Sequence, residues 1–255
     1  MYFSLLCPTK GRPYGIRRLI ASVYNMTDHL EDVEILFAHD TGDDLARQEI
    51  DSSIGKYGAL TIKRFERAPS DWINRDFYDY LAEKSEGEFV QAVGDDIVFM
   101  TKGWDTILKS KIESYFKTST DRVLYISIED STPPPNPKDP PFCCFPFLSK
   151  EARQVLGFYL HPTVPTWGAD QSLYWVMANP AVDRVLVVPE VVVDHISYHT
   201  KKAPMDATSQ STRQKFLKEP NAYVDCCKNI IPSDIARLSA HIRRRSSEAL
   251  SGNQR

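Results

Sequence analysis

The sequence predicts an α/β fold: a mixed, largely parallel sheet flanked by helices, with a helical C-terminal tail. Three observations carry that expectation. Short apolar runs alternate with segments of helical period in the order β-α-β-α-β-α-β, the pattern left by strands joined through crossover helices. Polar stretches rich in turn residues close the strands, as at the carboxyl edge of an α/β sheet. Beyond Met205 the chain turns polar and helical and finishes in Ala240-His241-Ile242-Arg243-Arg244-Arg245.

Phe3 to Cys7 reads as the first buried strand, and Pro8-Thr9-Lys10-Gly11-Arg12-Pro13 as a cationic loop after it. Tyr14 to Met26 follows, with Ile16, Leu19, Ile20 and Val23 at helical spacing. Such a loop is either an ordinary strand-to-helix connection or an anion site at a helix start. Val33 to Ala38 is the second strand and ends in His39-Asp40-Thr41-Gly42-Asp43-Asp44. Leu45 to Tyr57 suits a helix, Leu60 to Phe65 a strand, and Trp72 to Ser85 an amphipathic helix. Glu88 to Val93 is a further strand that breaks at Gly94-Asp95-Asp96 before the apolar pattern resumes at Ile97. A helix begins at Gly103-Trp104-Asp105, and Val123 to Ile128 is a strand. Seven prolines between Ser131 and Pro146 exclude regular structure there, leaving either a wall near a site or a surface excursion. Phe147 to Leu156 reads as helical, Trp167-Gly168-Ala169-Asp170 opens a helix through Met177, and Arg184 to Val193 is an apolar strand ending in Asp194-His195-Ile196-Ser197-Tyr198-His199.

At 255 residues the chain can form one large domain with an appended tail. The expected division is 1–204, with a first half to about residue 100 and a second to 204, and a basic helical extension over 205–255. Net charge −3 argues against a surface built wholly for nucleic acid. No apolar run approaches the roughly 20 residues that span a bilayer, and the start enters a strand pattern without a basic leader, so the chain reads as cytoplasmic. The five cysteines, Cys7, Cys143, Cys144, Cys226 and Cys227, lack Cys-x-x-Cys spacing, which favours free thiols over zinc or a disulfide framework.

Asp95 and Asp96 are the chemical centre. At about 4 Å and an effective dielectric near 20, adjacent carboxylates repel by about 4 kcal/mol, so one takes a proton or a cation relieves them. A hard divalent ion fits, because it takes oxygen ligands and can carry nucleotide phosphates with it. A solvated Asp-Asp turn is the other reading.

The opening strand with Pro8-Thr9-Lys10-Gly11-Arg12-Pro13, the stretch around Gly94-Asp95-Asp96, and Trp167-Gly168-Ala169-Asp170 with the late His195 together resemble the nucleotide-diphospho-sugar glycosyltransferases of the GT-A fold, in the style of the family-2-like enzymes. The resemblance implies a hexosyltransferase-like enzyme using Mn²⁺ or Mg²⁺ and a nucleotide-diphospho-sugar, a UDP-sugar by expectation. Gly94 stands where the family's Asp-x-Asp motif has its first acid. The resemblance therefore makes Asp96 the metal ligand, with Asp95 on the ribose or a metal-bound water. Pro8, Thr9 and Arg12 match the first nucleotide-contacting loop, where an arginine fork suits a diphosphate. Asp40 matches the residue that reads the base, or is a structural strand-end carboxylate. Asp170 matches the general base of inverting members, or is a helix-head carboxylate. His195, or His199 four residues on, would complete the metal shell. Lys201, with Lys202 and Asp206, lies in a segment that could close over the diphosphate. Trp104 and Trp167 are either sugar-stacking walls or core aromatics.

The acceptor hydroxyl would belong to a saccharide, a lipid-linked carrier or a protein. Arg237, Arg243, Arg244 and Arg245 also leave room for DNA carrying a hydroxylated base. Two other functions share these features: a sugar-phosphate nucleotidyltransferase, and a non-catalytic carbohydrate-binding protein of the same fold.

Overall fold

A computed structural model describes residues 1–132, 143–218 and 220–252, without the side chains of 215, 216, 220, 223 and 252. The prolines at 133–141 of the loop expected to form a wall therefore lie outside the described residues. Along the first strand, β1 (Phe3–Thr9), the pleat sends Phe3, Leu5 and Cys7 into one apolar layer and Leu6 into the other. The chain then runs through α1 (Pro13–Met26), β2 (Val33–Asp40), α2 (Asp44–Ser53) and β3 (Thr61–Arg67). A π-helical turn (Asn74–Asp79) continues into α3 (Tyr80–Lys84), followed by β4 (Phe89–Ala92), β5 (Ile97–Phe99), α4 (Trp104–Phe116) and β6 (Tyr125–Asp130). Next come β7 (Phe147–Ser149), α5 (Lys150–Leu156), α6 (Ala169–Met177) and β8 (Val185–His195). The remaining helices are α7 (Ala207–Lys218), α8 (Pro220–Asp225) and α9 (Ile231–Gly252), the last preceded by a second π turn at Cys226–Ile230.

The strands form one eight-stranded sheet in the order β3-β2-β1-β4-β7-β6-β8-β5. β1 is parallel to β2 and β4, and β2 to β3. β7 runs antiparallel to both β4 and β6, so β6 and its parallel neighbour β8 share the direction of β4. The carboxyl ends of β1, β2, β4 and β8 therefore lie along one edge. Only Val93 to Asp96 separate β4 from β5, yet β5 pairs with β8 at the far end of the strand order. Five Cα steps reach at most about 18 Å, so the sheet must curl to bring β8 back toward the end of β4.

Helices cover both faces. α1, α2 and α4 bury Ile16, Leu19, Ile50, Trp104 and Leu108 on one side. The π turn, α3, α5, α6 and α9 bury Phe77, Leu81, Ala152, Leu173 and Leu238 on the other. Trp104 is fully buried, with its indole N–H donating to Thr27 Oγ1 at 3.0 Å, so it is a core aromatic rather than a sugar-stacking wall.

Two expected elements differ. Phe147 to Ser149 is not the head of a helix but the strand that joins the two parts of the sheet. Its three residues are too few to show a period of two, and the helix starts only where the Ser149 hydroxyl caps Ala152 N. The segment expected as one helix over Trp72 to Ser85 contains the π turn, which apolar spacing does not distinguish from an α-helix. Among the described residues no helix is long and apolar enough to cross a membrane.

Candidate active site

The loop after β1 is fastened before it meets any ligand. Gly11, at φ +64°, donates its N–H to Asp43 Oδ2 at 2.6 Å, tying the loop to the cap of α2. Thr9 ends β1 and donates its hydroxyl to Asp95 Oδ2 at 2.6 Å, and Arg12 Nη1 reaches Asp95 Oδ1 at 2.9 Å. Pro8 sits in the β1–β2 ladder opposite Ala38 and sets up Thr9. The same Arg12 fork contacts Asp206 at 2.7 Å through Nε and 2.5 Å through Nη2, and Ser209 Oγ at 3.3 Å. A Cβ on Gly15 would stand 2.5 Å from the Asp95 carbonyl oxygen, so only glycine lets α1 come this close to the strand end. A Cβ on Gly94 would collide with Asp96 Oδ1. A side chain at the first position of the motif therefore requires the Asp96 carboxylate to turn aside.

The two carboxylates have separate environments. Asp95 is almost fully buried, and burial, reinforced by repulsion from Asp96, raises its pKa against the pull of Arg12 and Thr9. Burial also opposes ionisation of Asp96, but the hydrogen bond and charge of His195, with Arg12 behind them, outweigh it and hold Asp96 below the ordinary range. His195 sits opposite Ile97 in the β5–β8 pairing, which places its Nε2 3.4 Å from Asp96 Oδ2. Its Nδ1 lies 2.7 Å from Thr132 Oγ1, and Phe145 packs edge-on against the ring at 4.9 Å. Either ring nitrogen can carry the proton: Nε2–H would donate to Asp96, whereas Nδ1–H donated to Thr132 would turn the Nε2 lone pair toward the carboxylate, where a cation fits between them. Among the described residues no three His, Cys, Asp or Glu side chains converge into a metal cage. The pair fits an ion that takes its other ligands from phosphate and water.

His199 does not join this pair. It packs against Tyr198 at 3.8 Å and Trp167 at 5.2 Å, and burial lowers its pKa. Trp167 thus borders the same edge through His199. Asp40 ends β2, next to the end of β1, and accepts from Lys10 Nζ at 2.7 Å. Lys201 is exposed in a turn at φ +61°, while its neighbour Lys202 pairs with Asp194.

Asp170 lies in the first turn of α6, behind Gly168 at φ +91°. Burial pushes its pKa up to about 6, against hydrogen bonds from the backbone and from the Cys144 thiol. Cys144 N donates to Asp130 Oδ2 at 2.8 Å, Asp130 Oδ1 accepts from Thr132 N at 2.8 Å, and Thr132 reaches His195. Asp130, at the end of β6, thus links the Cys144 backbone to Thr132, His195 and Asp96. Asp130 and Thr132 escaped the sequence reading, and Cys144 was read only as a free thiol, because nothing in their spacing marks them as neighbours of the site.

No protein-family profile and no curated protein sequence matches the chain. Solved structures do. S. aureus TarS superposes with a TM-score of 0.62 at 13% identity over 89% of this chain, which spans only 44% of that protein. TarS 1-349 in complex with UDP-GlcNAc gives 0.59 at 13% identity, covering 99% of this chain and 92% of that one. A mannosyltransferase, PcManGT from Pyrobaculum calidifontis, in complex with GDP-Man and Mn²⁺, gives 0.59 at 14% identity, covering 99% and 79%. Identities this low establish architecture. The fold is GT-A. In this GT-A sheet the β1 loop, Asp95, Asp96 and His195 all lie at the carboxyl edge, where α/β sheets bind ligands.

Proposed function

We propose that the chain is a glycosyltransferase that moves a sugar from a nucleotide-diphospho-sugar, a UDP-sugar in the first instance, to an acceptor hydroxyl with inversion. The observation that carries the reading is the Asp96–His195 pair at 3.4 Å beside an arginine loop, with the half-buried carboxylate of Asp170 at the head of α6. In this reading Asp96 and His195 hold Mn²⁺ or Mg²⁺, which supplies positive charge to the departing diphosphate. Arg12 binds diphosphate oxygens with its planar fork, and Asp95 keeps that fork and Thr9 oriented. Asp40 accepts from the base, and Lys201 approaches the phosphates from the turn after β8. Asp170 takes the proton of the acceptor hydroxyl as its oxygen attacks the anomeric carbon, a contribution of about 10²- to 10⁴-fold. The chain works in the cytoplasm in this reading.

The test is a screen of UDP- and GDP-sugars by thermal shift with Mn²⁺ and with chelator, followed by product analysis. Stabilisation that needs the ion, and release of nucleoside diphosphate, support the reading. Release of pyrophosphate from a nucleoside triphosphate and a sugar 1-phosphate, supplied in a parallel assay, would instead identify a nucleotidyltransferase. Binding with neither transfer nor donor hydrolysis would identify a carbohydrate-binding protein.

A further inference from the structure

The π turn Asn74–Asp79 sits outside the site, yet three of its side chains reach the segments that build it. Asn74 is buried, and its amide nitrogen donates to Val164 O at 2.5 Å and Thr166 O at 2.8 Å. These carbonyls belong to the loop that delivers Gly168 and Asp170. The Tyr78 hydroxyl donates to Val93 O at 3.2 Å, immediately before Gly94-Asp95-Asp96. Asp79 Oδ1 accepts from Tyr159 N at 2.7 Å and Leu160 N at 3.3 Å. The Tyr159 hydroxyl in turn accepts from Ala92 N at 2.5 Å and donates at 2.8 Å to the carbonyl of Pro146, the neighbour in sequence of the Phe145 that packs on His195.

The turn's geometry makes this grouping possible. An i→i+5 ladder carries more residues per turn than the 3.6 of an α-helix, so positions i+4 and i+5 fall on either side of position i. Asn74, Tyr78 and Asp79 stand in that relation and share one side of the turn. In an α-helix Asp79 would swing well away from Asn74.

We propose that this π turn is the positioning element of the transfer reaction, with Asn74 holding the Asp170 loop in register with the strand end that carries Asp95 and Asp96. The inference rests on the glycosyltransferase reading for its kinetic consequence but not for its structural one. Asn74 touches no reacting atom. It acts through two carbonyls of the loop, and a misplacement of about 1 Å there costs about 100-fold in rate.

The test compares wild type with Asn74→Ala and with Asn74→Asp, which keeps the size of the side chain but presents oxygen to both carbonyls. Amide exchange over 163–170 is measured by mass spectrometry, alongside kcat and donor KM. Both variants are expected to exchange faster in that segment. Their kcat should fall about 10- to 100-fold, with donor KM within about twofold of wild type. Unchanged exchange over 163–170 overturns the proposal, as does a parallel rise in donor KM. Failure of both variants to fold overturns it as well, because it assigns Asn74 to holding the fold together. A wild type that neither transfers nor hydrolyses any donor sinks the functional reading, and the exchange measurement then still decides whether the brace exists.

Discussion

Asp170 and Asp96 are carboxylates given opposite character by their surroundings. Asp170, with its pKa pushed up to about 6 by burial, must lose its proton before it can take one. Turnover should therefore climb as pH rises toward 6 and level off above it, a profile read from kcat between pH 4.5 and 8. Asp170→Asn should lower kcat by about 10²- to 10⁴-fold while leaving nucleotide affinity by calorimetry unchanged. The same substitution has a stability consequence. A folded pKa above the ordinary 3.8 means that this group favours folding at low pH and loses that contribution as pH rises through about 6. Asp170→Asn should thus raise the melting temperature at pH 7 and leave it little changed at pH 4. Asp96→Ala and His195→Ala remove the two side chains proposed to hold the ion. Either should abolish the difference in nucleotide-sugar affinity between Mn²⁺ and chelator, measured by titration calorimetry.

At the scale of elements, the close approach of α1 to the end of β4 is set by one missing side chain. Gly15→Ala puts a carbon 2.5 Å from the Asp95 carbonyl and must push α1 outward. The expected cost is about 1–3 kcal/mol of stability, with weaker nucleotide binding because Arg12 rides on the start of that helix. Denaturant unfolding and titration calorimetry read the two effects separately. Arg12 is also claimed by Asp206, just ahead of α7, so a diphosphate must displace that carboxylate to use the fork. Asp206→Asn should consequently tighten nucleotide binding. Spacing made the strand ends that carry Thr9, Asp95, Asp96 and His195 legible, because an apolar run stops at each, while the roles expected of them came from the resemblance. It hid the pairing of Asp206 with Arg12 and the role of Asn74, whose partners lie 194 and 90 residues away along the chain. It hid β7 as well, since three residues carry no period.

Across the whole molecule, the C-terminal helices share the core of the sheet domain. Leu238 of α9 is fully buried, Cys226 fully and Ile242 nearly so, and α9 packs on α5 and α6. Leu238→Ala should cost about 2–5 kcal/mol, seen as a lower denaturation midpoint. Two tail arginines are committed internally, Arg237 to Asp234 at 2.5 Å and Arg245 to Glu151 at 3.6 Å, which leaves less of the tail for a polyanion. The alternation of strands and helices and the polar character of the strand ends were determined by the sequence alone, because strand period, helix period and turn residues act over a few neighbouring positions. Only the tertiary structure decided that Asp95 serves Thr9 and Arg12 while Asp96 faces His195, and that His199 packs on aromatics instead. Those outcomes depend on sheet curl, burial and pairings between distant segments, and such long-range contacts leave no periodic trace in the order of residues.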